Sequence, residues 1–365
     1  MNRRSILSSS VLIAIGLALT ASPGVAQSAK DLVGTWTAVK ADAYGLGMDR
    51  VAPALAAAGC KVFFVAQLGE ALALRRLLPG HEIAVLNGLL PGTAAAFLAH
   101  RLIPVLNDLG QIAAWREKGG GAPAILHVDT GMSRLGLPPG ELARLAGDPA
   151  LLAGLNLRAV MSHLACADQP AHPHNARQLA AFRAATAALP AAPASFANSS
   201  GIFLGADYHF DIARPGAAVY GVNPLPGTPN SMAQVVRLKG RILQTRDIDT
   251  GDTVGYGSTH RRERPGRIAT IAVGYADGWL RSLSNRGSVA IAGQRVPVVG
   301  RISMDLMTID VTALDPESTR PGGFAELIGP GNDVDAVAAE AGTIGYEILT
   351  ALGRRYHRVH TGGAA

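Results

Sequence analysis

Ala38-Val39-Lys40-Ala41-Asp42-Ala43-Tyr44-Gly45-Leu46-Gly47 places a lysine at the close of a short apolar stretch, with a tyrosine and a Gly-x-Gly turn directly after it. An apolar run ended by turn residues reads as a strand running into a loop. The chain holds 33 Lys+Arg, yet only Lys30, Lys40, Lys61, Lys118 and Lys239 are lysines. An amine can form a Schiff base with an aldehyde and can also carry a proton, while glycines let backbone approach a ligand. On spacing alone, a surface lysine ahead of a loop is the competing reading.

Outward from Lys40, short apolar segments alternate with amphipathic ones. The strand candidates are residues 36–40, 62–66, 83–86, 103–106, 124–128, 158–162, 195–197 and 217–220. Between them, residues 50–58, 68–78, 108–118, 140–146 and 175–189 carry apolar side chains at helical spacing, and Asn107-Asp108 offers an N-cap to the third. Short apolar strands joined by helices imply a parallel sheet. Eight of them predict an α/β fold, a (β/α)8 TIM-like barrel, over residues 36–230.

The texture changes after Pro224-Leu225-Pro226-Gly227-Thr228-Pro229. Val235 to Leu243 alternates apolar and basic residues, the period of a half-exposed strand. Further strands are predicted at 268–273, 288–292, 296–299 and 307–311, with one helix over about 336–352. Residues 231–365 therefore read as a smaller, mostly β C-terminal domain.

Hydrophobic residues make up 48% of the 365 and charged residues 16%, which supplies a sizeable core and excludes global disorder. The net charge of +6 comes from scattered arginines with no aromatic interleaving, so nucleic-acid binding is not predicted; a small anionic ligand or a solvated face accounts for it. Cys60 and Cys166 lie in no Cys/His cluster, so no metal site is expected and buried thiols are. The first 35 residues form a separate leader. Its basic Met1-Asn2-Arg3-Arg4, apolar Val11–Ala21 and small-residue Ser22–Gln27 have the pattern of a secretory signal, with a buried helix as the other reading. The run is too short to span a membrane comfortably.

In a parallel barrel, function gathers at the carboxyl ends of the strands. Those ends bring forward Lys40, His127 with Asp129, His163 and Asn198-Ser199-Ser200-Gly201, and near them Arg134 and Arg214-Pro215-Gly216. An amine, two guanidinium groups, a hydroxyl and glycine amides suit a phosphate-bearing aldehyde: the amine takes carbon, and hydroxyl and amides hold phosphate.

With these residues the chain resembles the alanine racemase family. Val39–Gly45 is similar to its pyridoxal-phosphate attachment motif. Asp129–Gly136, Ser162–Ala165, Asn198-Ser199, Val254–Gly257, Gly274–Gly278 and Ser303–Asp305 follow its further blocks in order. The resemblance implies pyridoxal 5'-phosphate as cofactor, with Lys40 holding it covalently and acting as acid and base on one face of the substrate carbon. Tyr256 would be the base on the other face, contributed by the second subunit of a homodimer. Arg134 would bond the cofactor's phenolate and help hold the substrate, Arg214 would face the pyridine nitrogen, and His163 would pack under the ring and support Arg214. Tyr44, Ser199 with Asn198, Gly216 and Tyr346 would take the phosphate. Met304 would meet the substrate carboxylate through its amide, and Tyr275 would line the access path.

Two departures stand out. His127 occupies a position where many members have a lysine, often carbamylated. The leader replaces the strand and long helix with which the family normally begins. The activity implied is two-base interconversion of L- and D-alanine, feeding peptidoglycan; the alternatives are a broad-specificity amino-acid racemase, a non-catalytic cofactor-binding protein, or a racemase inactivated at its N-terminus. The resemblance implies a cytoplasmic protein, and a genuine signal a periplasmic one.

Overall fold

The computed structural model describes residues 12–16, as backbone, and residues 36–361. These fall into two compact units, one built on residues 36–219 with 223–231, the other on 12–16, 220–222 and 232–361. In chain order the strands are β1 (Leu12–Gly16), β2 (Trp36–Ala38), β3 (Val62–Val65), β4 (Glu82–Val85), β5 (Ile103–Leu106), β6 (Pro123–His127), β7 (Asn156–Met161) and β8 (Ala194–Ser195). There follow β9 (Val236–Ile248), β10 (Thr253–Val254), β11 (His260–Arg261), β12 (Gly266–Ile271), β13 (Ser288–Ile291), β14 (Gln294–Pro297), β15 (Met307–Asp310), β16 (Phe324–Ile328) and β17 (His357–Thr361).

The first unit is a curled parallel sheet in the order β2-β3-β4-β5-β6-β7-β8. Six helices join its strands: α1 (Met48–Ala57), α2 (Leu68–Leu77), α3 (Ala94–Ala99), α4 (Leu109–Lys118), α5 (Pro139–Gly147) and α6 (Pro173–Ala188). Alternate strand residues share one face, and Trp36, Val62, Phe64, Ile103, Val105, Ala159 and Met161 form one buried cluster of that kind. Each large apolar side chain so buried contributes about 1.5–3 kcal/mol. The cap expected at Asn107-Asp108 is Asp108, whose Oδ1 accepts the Gln111 N–H at 2.7 Å.

Seven strands stand where eight were expected. The segment predicted as the last strand, Ala217–Tyr220, is a 3-10 turn. Its place in the ring is taken by the irregular stretch just before it. The Ile212 N–H donates to Ala194 O at 3.1 Å and the Arg214 N–H to Ala197 O at 2.8 Å, while Pro215 O accepts the Ala38 N–H at 3.0 Å. Residues 212–215 thus bridge β8 and β2. Pro215 has no N–H, which is why this stretch closes the barrel without a regular ladder.

The second unit is an antiparallel assembly around β9, a strand of 13 residues. Its first half pairs with β1 on one side and β16 on the other, and its second half with β12, which carries β15. β13 bonds β16 and β14, and β17 lies parallel to β1. The single helix expected over about 336–352 is two, α7 (Val334–Ala341) and α8 (Gly345–Ala351), separated at the left-handed Gly342 (φ +76°).

Five residues of the signal-like run, Leu12–Gly16, form a strand between β9 and β17, so the helix reading of that run does not hold for them. The rest of the leader lies outside the described residues. Cys60 is buried, with its Sγ 3.4 Å from Val62 O and burial pushing its thiol up to about 12, whereas Cys166 is only half-buried.

Candidate active site

Val39 alone separates Lys40 from the end of β2, and the backbone after Lys40 turns the opposite way to an ordinary helix. Ala41, Asp42, Ala43 and Tyr44 have φ of 52°, 54°, 54° and 55°. The Ala43 N–H donates to Val39 O at 3.0 Å and the Gly45 N–H to Ala41 O at 2.8 Å, a single left-handed turn. A left-handed conformation costs about 1–2 kcal/mol per non-glycine residue, so outside contacts hold it. Asp42 Oδ1 accepts the Met48 N–H at 2.8 Å, and Glu70 Oε1 accepts the Ala41 N–H at 2.5 Å. Burial, then the Arg134 charge, pull the Lys40 ammonium below the usual lysine range, and Glu70 opposes them.

Tyr44 is buried by the same turn. A Cβ on Gly216 would lie 2.4 Å from the Tyr44 hydroxyl, so only glycine admits that ring. Ser199 Oγ accepts the N–H of Gly216 at 2.9 Å and of Ala218 at 3.2 Å. With both acceptor positions filled, the buried Ser199 O–H remains as a donor. Asn198 Oδ1 accepts the Gly201 N–H at 2.8 Å and shapes the turn next to Ser199.

Arg214 is 6% exposed, and its guanidinium is fully engaged on one side. Nη1 donates to Ser195 Oγ at 2.6 Å, Nη2 to Ser162 O at 2.5 Å, and His163 Nδ1 lies 3.5 Å from Nη2. An arginine has no acceptor, so His163 Nδ1 offers its lone pair and the proton of the neutral ring sits on Nε2. Burial and the cations Arg214 and Arg134 hold His163 well below the usual histidine range. Burial draws Arg214 down to about 10, which leaves it protonated at neutral pH.

Arg134 rides on a loop organised by Asp129, whose Oδ1 accepts the N–H groups of Gly131, Met132 and Ser133 at 2.9, 2.9 and 3.1 Å. Beneath that loop, Asn107 Nδ2 donates to Leu86 O at 3.2 Å and Val105 O at 2.9 Å, which orients its Oδ1 toward His127 Nδ1 at 2.8 Å. His127 therefore carries its proton on Nδ1. Burial and the Arg214 charge lower it to about 4, so it is neutral and supplies no negative charge to the Arg134 loop.

Sequence reasoning missed Gln178. Fully buried, its Nε2 donates to Thr130 Oγ1 at 3.1 Å and His163 O at 3.0 Å, and its Oε1 accepts the Ala165 N–H at 2.9 Å. It ties the Arg134 loop to the His163 loop. Its only signal in the sequence was an amide on the inner face of α6.

Tyr256, Tyr275, Met304 and Tyr346 belong to the second unit. Tyr256 is 72% exposed, between Gly255 and Gly257, where Cβ atoms would lie 3.3 and 3.0 Å from Arg301 atoms. The Tyr275 N–H donates to Ser303 O at 3.0 Å and the Ala276 N–H to Met304 O at 2.9 Å. Arg355 bridges the two loops, 3.0 Å from Asp277 and 2.7 Å from Asp305. Tyr275 and Met304 are 43% and 54% exposed, and Tyr346 is half-buried on α8.

A lowered amine, a hydroxyl donor beside a glycine that admits the Tyr44 ring, and a buried guanidinium form a donor set that fits a phosphorylated aldehyde of pyridine type. The comparisons agree. Residues 25–224 match the model of the alanine racemase N-terminal domain, and residues 235–360 that of the C-terminal domain. The chain is 55% identical to an alanine racemase of Acidiphilium cryptum over 88% of its own length and 90% of that protein's. It is 51% identical to a catabolic alanine racemase of Mesorhizobium japonicum over 89% and 86% respectively. The crystal structure of the Bartonella henselae alanine racemase, with covalently bound pyridoxal phosphate, matches at a TM-score of 0.90 and 41% identity, covering 97% of this chain and 100% of that one. The chain belongs to the alanine racemase family.

Proposed function

We propose that this protein interconverts L- and D-alanine with pyridoxal phosphate by a two-base exchange, Lys40 serving one face of the substrate carbon and Tyr256 of a second subunit the other. The observation that carries the assignment is the Lys40 amine: it stands two residues past the end of β2, its proton affinity is lowered, and the Ser199–Gly216–Tyr44 cradle lies in the same unit.

When bound, the cofactor supplies an aldehyde carbon for the amine and a ring that spreads the electron pair of the substrate carbon. Lys40 Nζ takes or returns the Cα proton on its own side, and its lowered affinity keeps more of it neutral near physiological pH. Tyr256 Oη performs the same task from the opposite side, so the two residues exchange roles between the forward and reverse reactions. Arg214, a cation already held by Ser195, Ser162 and His163, would serve the ring nitrogen without giving it a full proton and so moderate electron withdrawal. The Ser199 O–H and the Tyr44 and Tyr346 hydroxyls would hold the phosphate, with Gly216 giving room to the Tyr44 ring. Arg134 would bind the phenolate and steady the substrate. The Met304 amide receives the substrate carboxylate, and Tyr275 lines the access path.

Residues 36–230 act as the cofactor-binding barrel and 231–365 as the domain that delivers Tyr256. The high exposure of Tyr256, Tyr275 and Met304 supports delivery to a partner subunit rather than a local packing role. An L-to-D interconversion assay across several amino acids tests the assignment. Alanine is expected to turn over fastest, Lys40→Ala to lose the bound-cofactor absorbance, and Tyr256→Phe to keep that absorbance but lose racemisation. Equal rates across bulky amino acids would favour a broad-specificity racemase, and protein that binds no pyridoxal phosphate would refute the reading.

A further inference from the structure

We propose that Glu70 is the positioning residue of the amine, a single carboxylate that fastens the strained turn after Lys40 to the start of α2 and sets the charge beside that amine. The inference rests on Lys40 being the cofactor-binding amine.

Three backbone N–H groups converge on this side chain. Oε1 accepts from Ala41 at 2.5 Å, and Oε2 from Ala66 at 2.8 Å and Gln67 at 3.0 Å. The second pair caps α2, where Glu70 stands at the third helical position. The first bond is different in kind. It reaches across 29 residues to the first N–H of the left-handed turn, which has no carbonyl of its own turn to bond. Four consecutive non-glycine residues at φ of 52° to 55° lean on that contact and on the Asp42 bond to Met48. Releasing Ala41 would let the chain relax toward the right-handed region and carry the Lys40 side chain with it.

The carboxylate also supplies the negative charge that reaches the amine. The groups whose charge is felt at Lys40 are Arg134 and Glu70, and the Lys40 charge is in turn felt at the buried His163. Arg134 lowers the proton affinity of Lys40 and Glu70 raises it, so a neutral replacement moves the amine in one direction only. Glutamine keeps the length of Glu70 but exchanges one acceptor oxygen for a donor, so either Ala41 or the Ala66–Gln67 pair loses its partner.

The test is Glu70→Gln in the full chain, read without turnover. In cofactor-stripped protein, the pH dependence of Lys40 modification by an amine-directed reagent, located by peptide mass, is expected to move its midpoint to lower pH. Amide exchange over residues 41–44 is expected to quicken at least about tenfold. Asp108→Ala, which removes the equivalent cap of α4, serves as the control: it lowers thermal stability and leaves the Lys40 midpoint in place. An unchanged midpoint and unchanged exchange in Glu70→Gln would overturn the proposal, as would the same shift in Asp108→Ala. Should Glu70→Gln not fold, amide exchange of the unaltered chain decides: a protected Ala41 N–H supports the lock, and exchange at the rate of a free peptide refutes it. Retention of pyridoxal phosphate by Lys40→Ala would instead refute the cofactor assignment and leave these measurements standing.

Discussion

At the scale of single residues, the site is a set of protonation states imposed by burial and by neighbouring cations. His127 shows how much follows from one amide. Asn107 spends both Nδ2 hydrogens on Leu86 O and Val105 O, so its oxygen accepts the bond from the His127 Nδ1–H, while burial and the Arg214 charge keep the ring neutral. Its folded value of about 4 lies below the ordinary histidine value of about 6.5. The unfolded chain therefore binds more protons between these pH values, and stability rises with pH through that window and is lost as pH falls toward 4. The contribution is about 3 kcal/mol at most. Urea unfolding at pH 7 and pH 4.5 is expected to show a smaller acid loss in His127→Gln than in the unaltered chain. Equal acid losses would mean that His127 is not neutral in the folded protein.

Elements decide where those side chains point. The last barrel strand was expected at 217–220, but the chain closes through residues 212–215, and Gly216, like Ala218 of the 3-10 turn after it, donates its N–H to Ser199. Apolar content drew the strand one segment too late, because Ala217–Tyr220 is apolar as well and only Pro215 marks the irregular closure. Ser199→Ala leaves the N–H of Gly216 and of Ala218 without an acceptor. A stability loss of about 1–3 kcal/mol is expected, together with faster release of cofactor, measured by thermal melting and by loss of its absorbance on dilution.

β1 makes a second point at the same scale. It bonds β9 on one edge and is the strand that β17 pairs with. Deleting residues 1–16 would strip β17 of that ladder, and at about 1 kcal/mol per lost bond a fall of several kcal/mol is expected in chemical unfolding. A truncated chain as stable as the full one would show that β1 contributes nothing. β16 and β17 escaped sequence reading for a related reason. β17, His357-Arg358-Val359-His360-Thr361, is mostly polar and half to fully exposed, and it is a strand because β1 offers it an edge.

For the whole molecule, Lys40 and Tyr256, the two bases proposed above, belong to separate compact units, and Tyr256 is exposed. If each site takes Lys40 from one subunit and Tyr256 from the other, a heterodimer of Lys40→Ala and Tyr256→Phe chains holds one intact site and one doubly defective site. Random pairing in an equal mixture then restores about one quarter of the unaltered activity, since half the dimers are mixed and each has one working site. Two individually inactive variants that stay inactive after co-refolding would place both bases in one chain.

Taken alone, the sequence determined which family this protein resembles and, through that resemblance, the chemistry to expect of it. Lys40 at a strand end, the glycine turns and the ordered blocks from Val39 to Asp305 were readable because each depends on residue type at short spacing. It also determined the parallel α/β pattern, because apolar periodicity is a local property. Tertiary structure decided what spacing does not encode: that the barrel closes through an irregular stretch at Pro215, that Leu12–Gly16 pairs with strands more than 200 residues away, and that Glu70, Gln178 and Asn107 bond the turn after Lys40, the Thr130 loop and His127. Those three are ordinary polar residues in sequence. They become specific only when folding buries backbone N–H groups and side-chain polar atoms that must each find a partner.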